Sequence, residues 1–138
     1  MKNYELLDHT ADIGIIVYGE TKEKAFESAA EAMFDLMCPL EKIQEKECFD
    51  IEVDGEDLES LLVTWLNELL YVFEVQKLLF RRFDVTLIGH NQLISHCYGE
   101  RFDPKKHEIT REIKAVTYNL LKIEQREDKW MIQVVFDI

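Results

Sequence analysis

Asp8, His9, Thr10 and Asp12 crowd two carboxylates, an imidazole and a hydroxyl into five residues, and Gly14 follows. An apolar run, Ile13 to Val17, begins directly after them and reads as a buried strand. Charge placed where a strand runs into a core is costly unless it is paired. At the far end, Trp130 to Ile138 is a second apolar strand, and it finishes on Asp137. Ile138 adds a terminal carboxylate directly after that acid. Short carboxylates at strand ends, with little nitrogen or sulfur around them, suit hard cations such as Ca²⁺ or Mg²⁺. The reading is that the two ends meet and that their acids share a cation.

Other chemistries find less support. Ser28, Ser60 and Ser95 have no glycine elbow around them, and no glycine-rich loop is present to cradle phosphate. His9 has no second close histidine, and the cysteines form no CxxC pair, so a zinc site is not expected. His90 and His96 read as surface or cross-strand residues.

The elements that must position the acids follow from periodicity. A short strand, Tyr4 to Leu7, leads into the polar stretch. Alternation from Asp12 places Asp12, Gly14, Ile16 and Tyr18 on one face, and Ile13, Ile15 and Val17 on the other. Both faces are mostly apolar, which predicts a central strand. Thr21 caps a helix in which Ala25, Phe26, Ala29, Met33, Phe34 and Met37 recur at helical spacing, ending near Cys38-Pro39. Ile43 to Val53 holds a period-2 strand pattern. After Gly55, Asp57 caps a second helix with a broad stripe from Leu58 to Phe73, interrupted by Asn67 and Glu68, which read as a solvated edge. Strands are expected over Phe80–Ile88 and Leu93–Tyr98, around the turn Gly89–Gln92, then over Ile113–Glu124 and Trp130–Ile138. Between them lies a polar connection, Gly99 to Glu112, of the kind that often carries function. The late strands follow one another through short turns. The expected fold class is therefore α+β: a single two-layer domain over residues 1–138, with two helices packed on a mixed, mostly antiparallel sheet.

Composition narrows the partners. A length of 138 residues suffices for a core without disulfides. The formal net charge is −12, with no basic patch, so direct nucleic-acid binding is not expected. Cys38, Cys48 and Cys97 are odd in number and widely spaced, which fits reduced, buried thiols in a cytoplasmic protein. Neither a signal peptide nor a membrane span is expected.

The stretch Asp8–Gly14, the segment Trp65–Leu70, the segment Glu112–Tyr118 and the ending Val135–Ile138 together resemble the archease family over the length of the chain. The resemblance implies an accessory protein, not an enzyme. It would activate the tRNA-splicing RNA ligase by promoting its guanylylation and multiple turnover. By motif position it implies a divalent cation on Asp12, Asp137 and the Ile138 carboxylate: Ca²⁺ first, with Mg²⁺ or Mn²⁺ as alternatives. Asp8 and His9 would stand behind those ligands. It also implies a lysine and a glutamate that act in partner activation. Lys106 and Glu112 match best, with Lys105 adjacent to the first. Two rivals stay open: a chaperone-like protein-binding module, and a standalone metal-dependent hydrolase with His9 as its base.

Overall fold

The computed structural model describes residues 4–8 and 12–138. Among them are β1 (Glu5–Asp8), β2 (Asp12–Gly19), α1 (Lys22–Met37), a 3-10 turn (Leu40–Lys42), β3 (Glu47–Asp54), α2 (Leu58–Gln76), β4 (Leu78–Ile88), β5 (Gln92–Arg101), β6 (Ala115–Arg126) and β7 (Lys129–Asp137). The fold is α+β, as expected. The strands form two sheets, ordered β1-β2-β7-β6 and β3-β5-β4, and every described pairing is antiparallel.

Both helices start where the sequence places them. The Thr21 side chain accepts from the Lys24 amide at 3.1 Å. Asp57 and Ser60 exchange side-chain and backbone bonds in a capping box. Helix α1 packs against β2 and β7 of one sheet and β4 of the other, and α2 lies against β6 and the β3-β5-β4 sheet. The helices thus join the two sheets through one core. Phe26 stacks on Trp65, and Trp65 meets Phe83 edge-on, with all three buried. The indole N–H of Trp65 donates to Ser95 Oγ, which donates in turn to the Ile51 carbonyl. Ser95 is therefore a satisfied core hydroxyl, not a nucleophile.

Three details differ from the sequence reading. Asn67 is not a solvated edge: its side chain donates to the Val116 carbonyl and accepts from the Val116 amide, clamping α2 to β6. The third strand begins at Glu47 because Leu40–Lys42 turns first. The last connection runs on to Lys114, since β6 begins pairing at Ala115. On β5, Gly99 faces the register shift between Phe80 and Arg82, where an added Cβ would overlap the Leu79 carbonyl.

One carboxylate pair in α1 is costly. Glu27 is buried and accepts from the Val85 amide at 2.8 Å, covering an N–H on the β3-β5-β4 sheet. Burial, reinforced by the Glu27 charge one turn away, pushes the Glu31 carboxyl up from 4.5 to about 7. A raised carboxylate pKa means that this group's contribution to stability is greatest below pH 4.5 and is lost as pH rises through 7. Glu31→Gln should therefore stabilise the protein at pH 8 and leave it unchanged at pH 4. Urea unfolding at the two pH values checks this; equal effects at both would show that folding leaves the titration of Glu31 unshifted.

Candidate functional site

The acids of the two ends meet in register. Strands β2 and β7 pair antiparallel, with Asp12 opposite Asp137, Ile13 opposite Phe136 and Gly14 opposite Val135. Ile13, Ile15 and Val17 face the core with Ile132, Val134 and Phe136. Asp12 and Asp137 therefore share the other face of the sheet, because directly opposed residues point the same way. The next strand completes the row: Ala115 of β6 pairs with Asp137, whose carbonyl accepts from the Lys114 amide at 2.8 Å.

Two carboxylates directly opposite on neighbouring strands repel unless something positive lies between them. Burial sharpens the cost here. Asp12 Oδ1 is inaccessible to solvent, and among the described residues no donor reaches it. A buried carboxylate oxygen without a donor is costly. The donor set is all oxygen and doubly negative, so it fits a hard divalent cation. Ile138 follows Asp137 and packs its side chain partly against the core, which holds Ile138 beside this row. Asp8 lies one strand away, with its backbone paired to Ile13. His9 lies outside the described residues.

The two residues expected to act on a partner have separate surroundings. Glu112 is exposed and lines a groove of about 370 Å³ with Phe73, Lys77, Arg111 and Lys114. Through Lys114 that groove adjoins the Asp137 end of the sheet. Lys106 instead turns inward. Its ammonium lies 2.7 Å from Glu100 Oε2 and 2.9 Å from Oε1. Lys105, its neighbour, is exposed, and its amide donates to Asp103 Oδ1.

Glu100 is a buried charge that the sequence reading misses, and His107, which the sequence places next to Lys106 without a role, is buried against it. Glu100 is 4% exposed on β5, and His107 is 3% exposed. Nδ1 of His107 accepts from the Asp103 amide, so the proton on Nε2 points at Glu100 Oε2, 2.9 Å away. The Gln44 amide donates to the same carboxylate at 2.7 Å. Burial alone would raise the Glu100 carboxyl. The bonds from Lys106, Gln44 and His107, with the charge of Lys106, outweigh it and bring the carboxyl down to about 2. The cluster anchors the connection after β5, and no sequence spacing announces it.

Cys38 and Cys97 are buried, as expected, and burial pushes the Cys97 thiol up to about 12. Cys48 is exposed, which corrects the expectation of three buried thiols. No described helix is long and apolar enough to cross a membrane.

The archease protein family matches this chain over residues 4–138. The chain is 49% identical to protein archease of Pyrococcus furiosus, and the alignment spans 100% of both. It is 48% identical to protein archease of Methanosarcina barkeri over 99% of this chain and 97% of that one. Its fold is similar to the solution structure of Methanobacterium thermoautotrophicum protein 1598, with a TM-score of 0.87, 34% identity and 100% coverage of each. It is also similar to the crystal structure of an archease, possible chaperone, from Thermotoga maritima, with a TM-score of 0.67, 26% identity and coverage of 96% and 94%.

Proposed function

The chain belongs to the archease family, and from that premise we propose that it acts on a partner protein instead of turning over a substrate of its own. The partner is the tRNA-splicing RNA ligase of the cytoplasm. The action is to promote guanylylation of the ligase and let it turn over repeatedly. The observation that carries this reading is the Asp12–Asp137 row with its buried, donorless oxygen. A hard divalent cation, calcium first, would be held by Asp12, Asp137 and the Ile138 carboxylate. When bound, it supplies positive charge that relieves the facing acids. The chain's own residues do the rest. The backbone pairing of β2 with β7 holds Asp12 opposite Asp137, and the groove around Glu112 gives this end of the sheet a polar surface for the ligase. Positioning of this kind is most of what a protein can add to phosphoryl-type transfer. The formal charge of −12 agrees with contact to protein instead of RNA.

A second reading, chaperone-like binding, has one observation in its favour. Tyr71, Val75, Tyr118 and Leu120 are large apolar side chains left more than half exposed on α2 and β6. A time course of labelled GTP incorporation into purified ligase separates the readings. Substoichiometric protein should raise both the rate and the number of turnovers. Absence of stimulation, together with suppressed aggregation of unrelated clients, would replace the ligase reading by the chaperone one. Phosphoester hydrolysis by the protein alone would make it an enzyme.

The end of the chain gives a finer test. Adding a few neutral residues after Ile138 removes its carboxylate and leaves an uncharged carbonyl. Calcium affinity depends on ligand charge count, so it should fall by roughly tenfold or more. Stimulation should fall with it, while Ile138→Val, which keeps the carboxylate, should be nearly silent. Calorimetric Ca²⁺ titration of the three proteins checks this. Equal affinity after extension would remove Ile138 from the site.

A further inference from the structure

On the other sheet, β3 and β5 bring a thiol, a carboxylate and an imidazole together. Cys48 and Asp50 sit two residues apart on the exposed face of β3, and His96 stands directly opposite Asp50 on β5. One ligand atom from each lies within 4.8 Å of the others. His96 Nδ1 is 2.6 Å from Asp50 Oδ1, and Cys48 Sγ is 3.8 Å from the same oxygen. Asp84 pairs with His96 from its other side on β4, and Arg82 beside it occupies that carboxylate.

We propose that Cys48, Asp50 and His96 form a second metal site, for zinc or a divalent ion of its kind, distinct from the carboxylate row on β2 and β7. The donor set decides the ion. Sulfur and imidazole nitrogen with one carboxylate favour zinc over calcium or magnesium. The geometry is reachable. Tetrahedral zinc, with bonds of about 2.0–2.3 Å, holds its ligand atoms roughly 3.3–3.8 Å apart. The present separations bracket that range, and all three side chains are exposed and able to turn. The backbone does the positioning: two ligands are placed by i, i+2 spacing on one strand and the third by register, and rotation of the exposed side chains completes the geometry. Three protein ligands leave a fourth position open to water or to a group from another molecule. The sequence alone hides the site, since the histidine stands 46 residues from the acid it faces.

The plain alternative is a surface ion pair between His96 and Asp50, which would contribute little and give Cys48 no part. Co²⁺ titration of the full-length reduced protein distinguishes the two. The site should take up one Co²⁺ per chain, with a thiolate-to-metal charge-transfer band that Zn²⁺ abolishes by displacement. Cys48→Ser should eliminate the band. Cys48→Ser and His96→Ala should each weaken Zn²⁺ binding roughly tenfold or more, judged by competition with a chromophoric chelator. His90→Ala, in the exposed turn, should change nothing. The proposal is overturned if no band develops at millimolar Co²⁺, or if Zn²⁺ affinity is unchanged in Cys48→Ser or in His96→Ala. Because these side chains lie outside the core, the variants keep the fold, and far-ultraviolet circular dichroism confirms it in the same samples.

Discussion

Asp12→Asn is expected to abolish calcium binding and ligase stimulation while leaving the metal-free protein at least as stable as the wild type. The two halves of that result come from one geometry. Asp12 faces Asp137 across a central strand pair, and its Oδ1 is buried with no donor among the described residues. Without a cation, the wild type carries both the repulsion of opposed carboxylates and the desolvation of one of them. Asparagine keeps the shape, removes a charge and brings an N–H that can donate to Asp137. In chelator, the melting temperature should therefore stay level or rise. In calcium the order reverses: a ligand that binds only the folded state at 100 times its dissociation constant adds about 2.7 kcal/mol. The wild type gains that stability and the variant does not. The decisive measurement is a pair of melting curves for each protein, with and without calcium. A variant that is destabilised in chelator, or that still responds to calcium, would show that Asp12 is a structural acid with a partner of its own.

How far this site was legible in the chain can be judged from its parts. The strands carrying Asp12 and Asp137 were readable, because unbroken apolar runs between polar ends have few other solutions. That they pair with each other was a harder inference. It rested on two acidic strand ends needing a common counter-charge, and the register places Asp12 on Asp137. The helix caps at Thr21 and Asp57 were local chemistry and could be read directly. What stayed hidden depends on contacts between residues far apart in sequence. Asn67 clamps a strand 49 residues away, and Glu100 accepts from Gln44 56 residues away. A polar residue inside an apolar stripe looks the same in sequence whether it meets water or a backbone amide. The division into two sheets was hidden for a related reason, since alternation reports burial on a face and not which sheet supplies it.

Glu100→Ala is expected to destabilise the protein by roughly 3 kcal/mol near neutral pH, the cost of stripping a partner from a buried ionic cluster. It leaves the His107 Nε2 proton and the Gln44 amide without their acceptor, while Lys106, 32% exposed at its side chain, can turn to water. The cluster also sets an acid limb. The Glu100 carboxyl sits at about 2 in the fold against an ordinary 4.5. Its contribution is complete above pH 4.5 and is lost as pH falls toward 2. Glu100→Gln, which cannot titrate, should flatten unfolding stability across that window. The same variant resolves what Lys106 does for the ligase. Its ammonium is engaged with Glu100, so on the proposed ligase reading Lys106 is a positioning residue that holds the connection between β5 and β6 in place. Lys106→Ala and Glu100→Gln should then lower ligase stimulation to a similar partial extent, and both should speed amide hydrogen exchange over residues 103–110. Lys106→Arg, which preserves the charge-assisted bond, should restore most of both. If Glu100→Gln loosens those amides yet stimulates fully, while Lys106→Ala does not, then Lys106 reaches the partner itself and its bond to Glu100 is a resting position.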